Sequence, residues 1–154
     1  MDEKFFCSIC VAGIVLHEGK YLLVRHTYGR SKGKYLIPGG YVKSNETPTT
    51  AIMREIFEET KIRATVRGLV SMRFKLKQWC AIFLMDYVNG IPQSDNYEND
   101  SAIFVSKNDL EKYELTDFTR YILEHSSQNI NNKSFIELKK YRPSLYTESD
   151  YQLF

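Results

Sequence analysis

Cysteine is scarce in this 154-residue chain: there are three, and an odd count argues against the disulfide framework of small secreted domains. Cys7 and Cys10 form a C-x-x-C, a spacing used for zinc or redox chemistry. They fall, however, in a stretch that reads as a strand, where residues three apart point to opposite faces. No second pair completes four ligands, so they read as structural thiols. Eight glycines and four prolines leave no material for a long linker, and there is no repeat or low-complexity tract. Long apolar runs are also missing. The run from Phe5 to Leu16 is too short to span a membrane, and the acidic start Met1-Asp2-Glu3-Lys4 is wrong for a secretory signal. A cytoplasmic protein with no membrane association is the expectation. Nor is charge one-sided: 21 Lys and Arg against 19 Asp and Glu leave a net +2, too little to argue for nucleic acid.

What is present is one domain of ordinary composition, 43% hydrophobic and 26% charged, long enough to bury a core. Phe5 to Leu16 reads as a first buried strand, His17 to Lys20 as a tight turn, and Tyr21 to Arg25 as a second strand paired with the first. A polar loop from His26 to Lys34 carries Arg30 and Lys32, with Arg25 just before it. It is either a solvated loop or a rim that steers anions. Tyr35 to Gly40 ends a short strand on two glycines, which allow close backbone approach or positive φ.

The informative stretch is Gly40 to Ile62. Thr47 suits an N-cap and Pro48 the first position of a helix. At about 100° per residue, Glu55, Glu58 and Glu59 share an arc of roughly 100°. Ile52, Met53, Ile56 and Phe57 form the expected buried side. Converging carboxylates read either as a solvated face or as a site for a hard divalent cation, which takes oxygen ligands along with phosphate and water. Arg54 lies where its forked donors orient a carboxylate.

The whole pattern, Gly40, Glu46 and then Arg54-Glu55-Ile56-x-Glu58-Glu59-x-x-Ile62, resembles the signature box of the Nudix hydrolases. Lys61 departs from it, standing where the family usually has a glycine that ends the helix in a left-handed turn. The resemblance covers roughly residues 5–125, with only the box specific. It implies an α+β fold, an α/β/α sandwich with a mixed, mainly antiparallel sheet and the box packed upon it. It also implies hydrolysis of the pyrophosphate bond in a nucleoside diphosphate linked to another group, with Mg²⁺ (or Mn²⁺) as cofactor. By the same resemblance, the metal ligands are Glu55, Glu58, Glu59 and the Gly39 carbonyl, with Glu98 preferred over Asp100 as a further carboxylate from the loop 91–101. Glu55 is a ligand or the general base, and Arg54 an orienting residue. Glu46 reads as a support for the loop rather than a ligand. Arg25, Arg30 and Lys32 are weaker candidates for substrate phosphates. The rival is a nucleotide-sensing module of the same fold that does not cut, with Lys61 the one feature on its side.

Downstream, Arg63 to Lys77 alternates, with Ala64, Val66, Gly68, Val70, Met72, Phe74 and Leu76 on one face and a stripe including Arg63, Arg67, Arg73, Lys75 and Lys77 on the other. A solvated strand face is the commoner explanation. Contact with nucleic acid is expected only if a 5′ end is the substrate. Trp79 to Val88 is the next strand, ending at Asn89-Gly90, which suits a hairpin. A loop to Ser101, a short strand Ala102 to Val105, a helix from Thr116 to about His125 and a polar loop Ser126 to Lys133 follow. The domain is expected to span residues 1–133. Residues 134–154 form an aromatic tail (Tyr141, Tyr146, Tyr151, Phe154) that packs on the domain or on a partner subunit, the latter making a homodimer.

Overall fold

The computed structural model describes residues 6–131 and 136–137. Strands β1 (Ser8–His17) and β2 (Lys20–His26) form a hairpin whose two-residue turn puts Glu18 and Gly19 at φ 50° and 72°, the twist that right-handed strands require. Short strands β3 (Tyr35–Leu36) and β4 (Gly39–Tyr41) lead to helix α1 (Pro48–Thr60). Long strands β5 (Arg63–Lys75) and β6 (Gln78–Asn89) follow, then β7 (Asn99–Ser106), helix α2 (Asp117–Asn131) and a two-residue strand β8 (Ile136–Glu137).

The strands make one mixed sheet in the order β3-β2-β1-β6-β5-β8, with β4 paired to β1 and β7 to β2. Among the strands of the described residues β1 and β6 are the pair that runs parallel, Cys10 opposite Cys80 and Ile14 opposite Leu84. Period-two alternation sends the two faces of these strands into separate cores. Val11, Val15, Phe83 and Met85 meet Ile52 and Ile56 of α1, while Ala12, Ile14, Ile82 and Leu84 meet Ile122 and Leu123 of α2. Ile52 and Ile56 are fully buried, each a gain of about 2–3 kcal/mol from apolar burial. The architecture is the expected α/β/α sandwich.

Four expectations need correction. Phe57 is not buried: it is 37% exposed and covered instead by the Arg63 guanidinium, 4.6 Å from its ring centre. The alternation of β5 is broken by register shifts at Val66/Gly68 and Leu69/Ser71. These bulges put Val66 and Leu69 in the α1 core but Val70 in the other. The basic stripe therefore splits, with Arg63 on the α1 side and Arg73 stacked on Phe118 of α2. Asn89-Gly90 makes no hairpin, because β7 pairs with β2 and the β5–β6 turn lies at Leu76–Lys77. Finally, α2 runs on through Asn131, since buried Ser126 continues the face of Thr119, Ile122 and Leu123. The aromatic tail beyond Glu137 lies outside the described residues.

Candidate functional site

Helix α1 begins as its residue types dictate. The Thr47 side chain accepts from the Thr50 amide and Pro48 opens the first turn. It ends on Lys61 at φ 60°, ψ 9°, the left-handed conformation a glycine would supply. The Lys61 ammonium donates to the Glu58 carbonyl at 3.1 Å, and the Lys61 amide to the Phe57 carbonyl at 3.0 Å. The departure from the usual residue leaves the helix exit in its expected geometry.

The three helix carboxylates are not equivalent. The arc they share runs from solvent to core, with side-chain exposure of 52% at Glu58 and 14% at Glu55, and Glu59 is only 3% exposed. Arg54 ties the outer two together, its Nη1 donating to Glu55 Oε1 at 2.7 Å and to Glu58 Oε2 at 2.9 Å. The rest of its fork grips Glu46, Nε to Oε2 at 2.9 Å and Nη2 to Oε1 at 2.5 Å. Glu46 in turn accepts from the Lys43 amide at 2.8 Å, which fixes the loop before the helix. Arg54 holds the Glu46 carboxyl below its ordinary range, and Glu46 foremost holds the guanidinium above its own. Glu46 thus occupies a supporting position, as its place at the loop–helix junction suggests.

Glu59 lacks such help. Neither carboxylate oxygen has a hydrogen-bond partner among the described residues. Burial pushes its carboxyl well above the ordinary range, and the charges of Glu55, Glu98 and Asp95 push the same way. The Gly39 amide pulls in the other direction, too weakly to offset them. Glu55 is also raised, first by burial, with Arg54 opposing. An unpaired buried carboxylate ringed by others is costly unless a cation joins it. The donor set, all hard oxygen, is chemically suited to Mg²⁺ or Mn²⁺. Among the described residues no three His, Cys, Asp or Glu side chains are gathered closely enough to hold a metal ion by themselves.

The two glycines serve close approach rather than positive φ, for neither is in the left-handed region. A Cβ on Gly40 would lie 2.4 Å from the Glu55 carboxyl carbon, and one on Gly39 2.1 Å from the Val11 carbonyl oxygen. Gly39 therefore lets β4 pair with β1, and Gly40 lets Glu55 rest on the strand. On the other side, β4 borders a cavity of about 350 Å³ whose walls include His26, Gly39, Gly40, Tyr41, Arg73 and Phe118. Carboxylates and cavity meet at Gly39–Gly40.

Other candidates are distributed as follows. Glu98 is close enough to raise the Glu55 and Glu59 carboxyls, and its Oε2 accepts from the Tyr28 hydroxyl at 3.3 Å. Asp100 turns away into an ion pair with Arg25 at 2.7 Å. Arg30 and Lys32 are exposed on the loop that follows β2. Two residues escaped the sequence reading. Asp95 Oδ1 accepts the amides of Tyr97, Glu98 and Asn99, which shapes the acidic loop. Buried Asn99 donates from its amide to the Glu59 carbonyl at 3.0 Å, clamping that loop to the end of α1. The Asp-Asn-Tyr-Glu run carried the signal for the former, a side chain that caps amides two residues on. Asn99 gave none.

Comparisons with known proteins bear on the family and the fold. A family model described as NUDIX domain matches residues 9–126. The chain belongs to this family. A MutT-like protein of Streptomyces ambofaciens is 37% identical over 46% of this chain and 51% of its own length. An ADP-ribose pyrophosphatase of Methanocaldococcus jannaschii is 35% identical over 42% of this chain and 38% of its own. The NUDIX chain described here thus spans about half the length of these curated relatives, or less. A NUDIX hydrolase crystal structure from Nitrosomonas europaea superimposes with a TM-score of 0.74, covering 84% of this chain and 75% of that one. At 18% identity that likeness speaks for the fold.

Proposed function

We propose that the protein is a divalent-metal-dependent pyrophosphohydrolase acting on a nucleoside diphosphate linked to another moiety. The observation that carries this reading is Glu59, a buried carboxylate without a partner, set beside Glu55, Glu98 and the Gly39–Gly40 strand. Glu55, Glu58 and Glu59 are the side chains that would hold Mg²⁺ or Mn²⁺, with Glu98 and the Gly39 carbonyl as further ligands. When bound, such a cation neutralises diphosphate charge and acidifies an attacking water. The chain's own residues supply the positioning. Arg54 keeps Glu55 and Glu58 oriented, Glu46 anchors Arg54, and Asn99 fixes the loop that presents Glu98. Glu55 would serve either as a ligand or as the general base, since one of its oxygens stays outside the Arg54 bond. Arg30 and Lys32, with Arg25 behind them, supply positive potential for phosphates.

The cavity beyond β4 is where the group carried on the diphosphate would lie, between Tyr41, Arg73 and Phe118. The names of the relatives make ADP-ribose a sensible first member of any substrate panel. Lys61 no longer speaks for a module that only binds, since the helix exit keeps the shape a glycine would provide. The test is hydrolysis of a panel of nucleotide diphosphate derivatives by the full chain with Mg²⁺ or Mn²⁺, alongside Glu58→Gln and Glu59→Gln. Activity in the wild type that falls by at least about 100-fold in the variants is expected. No cleavage of any panel member, or undiminished variants, would sink the assignment.

A further inference from the structure

We infer that Cys10 and Cys80 together form a thiol-modification site in the wall of the cavity, one that takes a hydroperoxide as its oxidant. The two are Cα partners in the parallel β1–β6 register. Adjacent strands lie about 4.8 Å apart, inside the range of roughly 4.4–6.8 Å that a disulfide spans between Cα atoms. Both thiols are free, and both residues line the 350 Å³ cavity although they are only 8% and 3% exposed. A small oxidant therefore reaches them without opening the sheet.

The third participant is Arg73, which faces this side of the split β5. Its guanidinium carbon lies 4.5 Å from the Phe118 ring centre and Nη2 donates to Gln78 Oε1 at 3.3 Å. The Nε–H is buried and has no partner among the described residues. The neighbouring Cys80 thiol and the charges of Arg73 and Lys75 favour a Cys10 thiolate. Together they bring the Cys10 thiol down to about 7, while the Cys80 thiol is pushed up. Cys7 has none of this; its thiol donates to its neighbour's carbonyl, Ser8 O, at 3.4 Å. A thiolate beside a cation, with a second thiol in reach, is the arrangement that peroxide oxidation selects.

The chemistry balances in two steps. The Cys10 thiolate attacks one peroxide oxygen, forming S–O as the O–O bond breaks. The electron pair leaves on the second oxygen, which takes a proton from water; sulfur is oxidised by two electrons and the peroxide reduced. The Cys80 sulfur then attacks the sulfenic sulfur of Cys10, forming S–S. The S–O bond breaks, and the departing oxygen leaves as water with the Cys80 proton.

The test exposes the full chain to hydrogen peroxide, caps remaining thiols with N-ethylmaleimide and maps them by mass spectrometry. Wild type should lose two hydrogens at Cys10–Cys80 and regain them with dithiothreitol, with Cys7 still capped. Cys80→Ser should stop at oxygen added to Cys10, and Cys10→Ser should protect Cys80. Arg73→Met should slow Cys10 oxidation about threefold near pH 6, where a less stabilised thiolate is less populated. Oxidation of Cys7 ahead of Cys10, or of Cys10 in wild type without pairing to Cys80, would overturn the proposal. The wild-type map decides the matter even where a variant fails to fold. Because it reads mass and not hydrolysis, its outcome is separate from that of the pyrophosphohydrolase reading.

Discussion

Replacing Glu59 by glutamine should stabilise the metal-free protein, the reverse of what a change at a buried position usually does. Both carboxylate oxygens are buried without a partner, and neighbouring carboxylates oppose the charge. An unsatisfied buried polar group costs on the order of 1–3 kcal/mol, more when it is charged, and the glutamine amide retains part of that penalty. A net gain of about 1–2 kcal/mol follows. With an unfolding entropy near 2.1 cal/mol/K per residue, the 154 residues give about 0.3 kcal/mol/K, so Tm should rise by about 3–6 °C in chelator. Acidification provides a second axis. Burial raises the Glu59 carboxyl in the folded chain, so the folded state binds the proton more tightly than the unfolded one. Wild-type stability from this group is present at low pH and is lost as pH rises through the folded value. The advantage of the variant should therefore shrink as pH falls through the raised folded value toward the ordinary carboxylate range. Magnesium at about 10–100 times its Kd should add roughly 1.4–2.7 kcal/mol to the wild type and little to the variant. Thermal unfolding followed by circular dichroism, with chelator and with magnesium, reads all three. A variant less stable than wild type in chelator, or one that keeps the full magnesium shift, would refute the reasoning.

Gly40→Ala should cost activity rather than the fold, because its Cβ would collide with the Glu55 carboxylate; a kcat down about 10–100-fold with Tm nearly unchanged is expected. Gly39→Ala should fail differently, since its Cβ meets the Val11 backbone, and a loss above about 3 kcal/mol in denaturant unfolding is the expected reading. Arg54→Met leaves Glu46 and Glu55 largely buried without their cation, which should cost about 2–3 kcal/mol by the same assay. Lys61→Gly removes left-handed strain but also the ammonium bond to the Glu58 carbonyl, so Tm should rise by only about 1–3 °C. A fall in Tm would show that the contacts of Lys61 outweigh its strain.

Much of the site was legible because its cues are local. Thr47-Pro48 suits a helix start, a period of 3.6 residues places Glu55, Glu58 and Glu59 on one arc, and Gly39-Gly40 promises close approach. The ends of β5 could be read too, but not its faces, since a bulge moves every later side chain to the other side without marking the composition. For that reason Arg73 looked like one of a solvated stripe when it belongs to the cavity. The difference between Glu98 and Asp100 was likewise hidden, because it depends on Arg25 standing across the β2–β7 pair to claim Asp100.

The sequence by itself determined the helix, its start and its carboxylate arc, set by residues within about four positions of one another, and the family pattern spread from Gly40 to Ile62. Tertiary structure alone decided which glutamate is buried, that Cys10 stands beside Cys80 and not Cys7, and that Asn99 holds the end of α1. Glu59 shows why. An amphipathic helix specifies which residues share a side, but how deep each one lies depends on the strand packed against it. For Glu55 that strand is β4, where the missing side chain of Gly40 lets the carboxylate close on the backbone.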